Sequence, residues 1–452
     1  MKEKRGKFSS KIGFVLAAAG SAVGLGNIWR FPYLAAKYGG GTFVICYMVL
    51  ALIFGCTLMI GEIAIGRKTG LSPIGAFKKL DKRFGFIGVM ASIVPLIIFP
   101  YYSVIGGWVV KYFAAYIFEG SHAAAAEGYF VNFISSDFEP IGWLAVFIAL
   151  TAAVVIFGVD KGIEKASKFM MPILIVLTVG LAIYIVAQPG AMEGVVYYLK
   201  PDFSEFSSMT VLAATGQLFY SLSLAMGIMI TYGSYMNKHE ALESSAYQIA
   251  AFDSGIAFFA GLMVIPAVFA FAGGAEDAMK AGPGLMFITL PKVFVNMPMG
   301  NFIGALFFLL VFFAAFTSAI SLMETVVSVC MDRFHWKRRF TCLVVAAASF
   351  VLALFPSLGY GLLSSVKIGG FDILDAMDFI SNSILMPVVA LLACFFIGYV
   401  IKPKTVIDEV KSHNNKFRAE HLFTVMVKWI APVLLIIVLV TSVANALGLM
   451  SI

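Results

Sequence analysis

The segment SAVGLGNIWRFP, residues 21–32, sets Gly24, Gly26, the polar Asn27 and the charged Arg30 inside a run apolar enough to cross a membrane. Glycine is a poor helix former, so this stretch predicts a helix that unwinds where water cannot solvate its backbone. A second stretch, GQLFYSLSLAMG at 216–227, places Gln217, Ser221, Ser223 and Gly227 near the middle of another apolar run. An unwound turn in hydrocarbon frees several N–H and C=O groups, each costing several kcal/mol if left unpaired. Freed carbonyls suit a hard cation such as Na⁺, and the N-termini of half-helices suit an anion such as a carboxylate. A sodium ion and a zwitterionic small molecule together would satisfy both sets. Close packing of small residues between helices is the alternative reading; it explains one such break better than two at matching places.

The elements that must hold these residues are transmembrane helices. Of 452 residues, 61% are apolar and 13% charged, against about half and a quarter in a soluble domain. The excess runs along the whole chain, which indicates an all-α polytopic membrane protein rather than a large soluble enzyme. Apolar runs predict eleven spans near 11–37, 41–65, 88–118, 141–158, 166–187, 209–236, 245–273, 300–332, 340–356, 375–401 and 424–450. The basic N-terminus has no small-residue cleavage site, so the first run reads as a retained span.

Basic residues are sorted between alternate loops. With the N-terminus in the cytoplasm, cytoplasmic segments hold about 24 of the 32 Lys and Arg, from Lys2–Lys11 through Arg67–Arg83, Lys161–Lys168, Lys238, Arg333–Arg339 and Lys402–Arg418. The outer segments hold five: Lys37, Lys200, Lys280, Lys292 and Lys367. This asymmetry predicts a cytoplasmic N-terminus and an external C-terminus. It also accounts for the net charge of +7 without a nucleic-acid partner.

Other signals are weak. The five cysteines lie in or beside apolar runs and read as small packing residues, and no two of the five histidines have metal-ligand spacing. GEIAIGRKT at 61–69 resembles a phosphate loop but carries Arg67 where that motif needs Lys. There is no nucleophile–His–acid set, so an enzyme is not expected. Residues 274–299 are semi-apolar but broken, and read either as a helical hairpin in an outer vestibule or as a surface loop.

The two weak helices are spans one and six. They are five apart, so they would be equivalent in a five-plus-five inverted repeat, with 11–187 expected as the first half, 209–401 as the second, 424–450 as a peripheral eleventh helix and 1–452 as one transport domain. Interrupted segments at matching places mark a transporter's midplane site. SAVGLGNIWRFPY, YYSVIGGW (101–108), LFYSLSLAMG (218–227), FFAAFTSAISLME (312–324) and DAMDF (375–379) together resemble the neurotransmitter:sodium symporters, with the leucine-transporter fold. The likeness extends from Arg5 to about residue 450.

The resemblance implies two sodium sites and no organic cofactor. One sodium site would use the Ala22 carbonyl, Asn27, Ser221 and Asp253; the other, the carbonyls of Gly20, Val23 and Ala314 with the hydroxyls of Thr317 and Ser318. Without it, Thr317 and Ser318 would read as hydroxyls bonded back to their own helix. Asp253, the single acid of its span, stands where most members of the family carry Asn. Ala257 stands where chloride-independent members carry an acid and chloride-dependent ones Ser. An intramembrane carboxylate is functional by default, so Asp253 is expected to bind Na⁺ and to replace chloride. Gly24, at a place where monoamine carriers have Asp, implies an α-amino acid. Its carboxylate would be held by the N–H groups of Leu25 and Gly26, the Tyr102 hydroxyl and the ion. Its ammonium would go to a carbonyl near Tyr220 and to Ser223. The side-chain pocket maps to Val23, Ile98, Tyr220, Met226, Ser318, Ala319 and Leu322, which implies a hydrophobic or aromatic side chain.

Matching positions also suggest gates: Arg30 with Asp378 and a Tyr220 lid outside, Arg5 with Asp332 and Tyr235 inside. Phe8 replaces the family's usual Trp and cannot donate an N–H, so the inner gate is expected to be looser. Short outer loops and eleven spans imply a prokaryotic member in the inner membrane, carrying an amino acid and sodium inward by alternating access. An amino-acid sensor on the same fold is the alternative. The oligomeric state is not legible.

Overall fold

The computed structural model describes residues 6–271 and 283–446. Among them the backbone is almost wholly helical, with two isolated bridges and no strands. Lipid leaves little choice, because a helix satisfies its backbone polar groups internally. The main elements are α1 (Lys11–Ala22), α2 (Gly26–Lys37), α3 (Gly41–Thr69), α4 (Lys82–Phe118), α5 (Glu139–Ile156), α6 (Val159–Val186), α7 (Ser208–Ser221), α8 (Ile228–Gly233), α9 (Leu242–Phe271), α10 (Gly300–Phe334), α11 (Arg338–Leu358), α12 (Ile373–Val400) and α13 (Glu420–Ala444). Nine of these are long and apolar enough to span a membrane singly, and α1 with α2 forms a tenth span bent by 56°. Between α7 and α8, residues 222–227 are not helical.

Local chemistry fixes the ends. Ser10 caps α1 through its Oγ, which accepts from Gly13 N–H at 3.1 Å. Ser207 and Thr210 form a reciprocal capping box at the start of α7. Gly70 ends α3 at φ +66°, a left-handed conformation that glycine adopts without strain.

Helix α10 packs along α4, α9 packs against α1 and α6, and α8 lies against the second half of α3. That last contact is backbone on backbone. A Cβ at Gly66 would meet Ile230 O at 1.9 Å, and one at Gly233 would meet Ile63 O at 2.4 Å. Small residues are how membrane helices gain such proximity.

Residues Leu285–Val295 form one apolar helix, buried against the end of α4. Tyr112 donates to Phe287 O at 2.8 Å, and the Phe287 ring stacks on Phe130 at 4.9 Å. In its described part this segment is a buried helix rather than a surface loop; residues 274–282, where the other arm of a hairpin would fall, lie outside the described residues. The five cysteines are unpaired thiols, three of them buried.

The described N-terminal residues pack tightly into the bundle at Phe8. Phe8 is buried, its ring edge-on to Phe14, Tyr232 and Tyr235 at 5.5, 5.6 and 6.3 Å. Its N–H donates to Tyr235 O at 3.1 Å, and its carbonyl accepts from Asn237 Nδ2 at 3.0 Å. Tyr235 OH donates to the buried Glu324 at 2.7 Å, and Arg338 pairs with Glu324 while also donating to Val155 O at 2.9 and 2.7 Å. The packing around Phe8 thus comes from three rings and two backbone bonds in place of an indole N–H. Removing Arg338 would strand a buried carboxylate, at a cost of about 3–5 kcal/mol. Arg338→Met should therefore lower unfolding stability in detergent sharply, and Arg338→Met with Glu324→Gln should recover most of the loss.

Candidate functional site

The two helix breaks meet at the centre of the bundle. At the first, α1 stops at Ala22, Val23 turns extended (φ −70°, ψ 107°), and helix resumes at Leu25. At the second, Ser223, Ala225 and Gly227 have φ of +53°, +61° and +71°. The left-handed region costs a non-glycine residue about 1–3 kcal/mol, so something must hold Ser223 and Ala225 there. The Ser223 hydroxyl donates to Ser21 O at 2.9 Å and meets Ser21 Oγ at 3.1 Å, tying one break to the other. The Ala225 N–H donates to Glu62 Oε1 at 2.7 Å. Glu62 Oε2 is buried without a hydrogen-bond partner.

Asp253 on α9 is fully buried and gathers the breaks from beneath. Its Oδ1 accepts from Asn27 Nδ2 and Ser221 Oγ, both at 2.7 Å, and its Oδ2 accepts from Tyr47 OH at 2.8 Å. Asn27 turns its Oδ1 back to Gly24 N–H at 3.0 Å, and Gln217 Nε2 donates to Gly26 O at 3.0 Å. Asn27, Ser221 and Asp253 are thus brought together as expected, and Ala22 lines the same chamber. This oxygen-rich set, with one full negative charge, fits a hard cation.

On the other side of α1, Ser318 Oγ points into the break, 3.4, 3.1 and 3.2 Å from the carbonyl oxygens of Gly20, Ser21 and Val23. Thr317 does the opposite. Its hydroxyl bonds back to Phe313 O at 2.9 Å and Ala314 O at 3.2 Å, the habit of a hydroxyl in an apolar helix. Thr317 nonetheless abuts the break, since a Cβ at Gly20 would lie 3.2 Å from its Cβ. Ser318 alone thus joins the Gly20 and Val23 carbonyls, while Thr317 pairs with Ala314 on the neighbouring turn of α10.

Between these two clusters lies a chamber of about 30 Å³. Ala22, Gly24, Gly26, Ile98, Tyr102, Tyr220, Ser221, Ser223, Met226, Ser318 and Leu322 line it, joined by Ser21, Asn27 and Ile228. Val23, Leu25 and Ala319 are buried beside it without lining it. The Leu25 N–H faces Tyr102 OH at 3.4 Å. A Cβ at Gly24 would lie 2.9 Å from Ser318 Oγ and 3.1 Å from Tyr102 OH, so glycine there keeps the polar end of the chamber open.

Tyr220 separates this chamber from a second cavity of about 550 Å³, lined among others by Arg30, Tyr33, Tyr101, Asp375 and Asp378. Arg30 lies over the Tyr220 ring, 5.7 Å from its centroid. Asp378 accepts instead from Tyr101 OH at 3.0 Å and Asn382 Nδ2 at 2.5 Å. The two charges face one cavity without closing it. On the opposite side, Asp332 accepts from Ser72 N–H at 2.8 Å, and Arg5 lies outside the described residues. Tyr235 contacts Glu324 by its hydroxyl.

Sequence reasoning missed Tyr47, Glu62 and Ser21. A lone acid in the apolar run 41–65 was the available signal for Glu62; nothing in the pattern marks Tyr47. Leucine at 62 would orphan the Ala225 N–H beside a strained backbone, costing about 1–3 kcal/mol. Glu62→Leu should lower the melting temperature, and Glu62→Gln, which keeps the acceptor, should lower it less.

A family model described as the sodium:neurotransmitter symporter family matches residues 5–121 and 121–450. The sodium-dependent transporter YhdH of Bacillus subtilis is 36% identical over 99% of both chains. A sodium-dependent transporter of Haemophilus influenzae is 32% identical over 98% of both. The crystal structure of MhsT in complex with L-phenylalanine superposes with a TM-score of 0.87 and 37% identity, covering 97% of this chain and 100% of that one. With breaks, oxygen clusters and chamber in one place, the chain belongs to the sodium:neurotransmitter symporter family, multi-pass membrane carriers that move a solute with sodium rather than transform it.

Proposed function

We propose that this protein carries a hydrophobic or aromatic α-amino acid into the cell with sodium, without chloride, by alternating access. The observation that carries the reading is the single carboxylate of Asp253, shared by Asn27, Ser221 and Tyr47 where both helix breaks meet. It supplies the fixed negative charge that a cation needs in a dry site, so a bound anion is not required. The Gly20, Val23, Ala314, Thr317 and Ser318 oxygens suit a second sodium. The polar end at Gly24, Gly26 and Tyr102 suits a substrate carboxylate, and Ser223 an ammonium. Ile98, Met226 and Leu322 suit an apolar side chain, with Met226 flexible enough to reshape the narrow chamber. The L-phenylalanine held by MhsT agrees with that choice.

We read α7 and α8 as one broken crossing, which brings the total to eleven, with 11–187 and 209–401 as inverted halves. The breaks then fall on crossings one and six, equivalent places in the two halves. Basic loops put the N-terminus in the cytoplasm and the C-terminus outside. The 550 Å³ cavity over Tyr220 then faces outward, and the Phe8 seal closes the inner side. Arg30 and Asp378 close the outside in the alternate state, and Asp332 and Tyr235 release the inside. Sodium and substrate together pair the polar groups that either alone leaves unpaired, and this difference in affinity between states drives the cycle.

An amino-acid screen by thermal shift should find an apolar or aromatic ligand that stabilises the protein only in sodium, by about 2.7 kcal/mol at a hundredfold excess over Kd. Proteoliposomes should accumulate that ligand down a sodium gradient; binding without accumulation would identify a sensor instead. Uptake should be indifferent to chloride in the wild type and should lose sodium coupling in Asp253→Ala. Chloride-stimulated uptake, or intact coupling in the variant, would refute the role of Asp253.

A further inference from the structure

Separate from the substrate chamber, a cleft of about 640 Å³ opens where α9 begins, between Glu243, Ser244 and Tyr247 on one wall and Lys416 and Arg418 on the other. Its single acid is committed to the backbone. Glu243 accepts from Arg418 N–H at 3.1 and 3.0 Å and from Ala419 N–H at 2.9 Å, which pins the 417–419 turn. The Lys416 and Arg418 side chains are left exposed and, among the described residues, form no ion pair. Lys11 Nζ donates to Ser244 Oγ at 3.0 Å, adding a third cation at the rim.

The cleft also has a defined depth. Tyr247 lies one turn inside α9, and Arg418 just precedes α13, so two apolar helices end at this level. The second half of α3 packs against both of them. From here α13 presents an outward face of Leu422, Trp429, Ile430 and Val433, between 37% and 64% exposed. Cations at a helix end with apolar surface running away from them match the two halves of a phospholipid. Arg grips phosphate oxygens in a bidentate fork and Lys adds a point charge, and basic pockets between helix ends hold anionic headgroups. We propose that this cleft binds the phosphate headgroup of an anionic phospholipid through Lys416 and Arg418, its acyl chains lying along α13. Free phosphate shares the headgroup chemistry but has nothing to place on that apolar face.

The test uses the full chain in detergent and the Lys416→Gln/Arg418→Gln double variant, neither residue belonging to the substrate or sodium sites. Binding of phosphatidylglycerol, phosphatidylcholine and inorganic phosphate is measured by native mass spectrometry. Phosphatidylglycerol should bind the wild type about tenfold more tightly than the variant and more tightly than phosphatidylcholine. Added salt should weaken that preference, a check on the wild type that does not depend on how the variant folds. Equal affinity for the two lipids, an unchanged variant, or displacement of phosphatidylglycerol by equimolar inorganic phosphate would overturn the proposal.

Discussion

The structure depends on one carboxylate. Asp253 lies within α9, and donors from three other elements converge on it there: Asn27 from α2, Ser221 from the end of α7 and Tyr47 from α3. Asn27 and Ser221 each adjoin a place where regular helix is interrupted, while Tyr47 comes from within α3. The carboxylate therefore registers both breaks against α9 and against each other. A carboxylate buried in this way is costly unless paired, and these three donors offset that cost.

Around that point the two breaks are stabilised differently. The first is built from carbonyls that face Ser318, and its backbone stays in ordinary regions. The second stores strain, with Ser223 and Ala225 in the left-handed region, and is held by side chains from elsewhere: Ser223 to Ser21, Glu62 to the Ala225 N–H. An element held by a few specific bonds rather than by its own helix can adopt a second arrangement when those bonds are exchanged. The side of the molecule that holds Phe8 is bound more firmly, through its ring contacts and the buried Glu324–Arg338 pair, while on the other side Arg30 and Asp378 stand apart across an open cavity. The two sides of the chamber are thus unequally packed.

Much of this was legible from residue order alone. Apolar runs gave the helices, because a chain in lipid must satisfy its own backbone. Gly24, Gly26, Ser221 and Ser223 gave the places where two of them come apart. Asn27 and Asp253 were legible as site residues because polar groups in hydrocarbon need a reason to be there. Boundaries were less so: α4 begins at Lys82 rather than 88 and α6 at Val159 rather than 166, because helix runs on past the apolar stretch into basic residues that the bilayer surface tolerates.

What residue order could not decide is which polar groups meet. Thr317 and Ser318 are adjacent and chemically alike, yet one bonds back to α10 and the other reaches across to α1; successive residues on a helix point about 100° apart, and only packing selects which faces the break. Tyr47 reads as one more aromatic residue in an apolar run until α3 is set against α9. The sequence by itself determined that the chain crosses a membrane many times and where two of its apolar runs leave helical geometry. Tertiary structure alone decided that Asp253 is the hub, that Glu62 holds the second break, and that Tyr220 divides the chamber from the larger cavity, because hydrogen bonds between distant segments follow from how helices pack and not from their order.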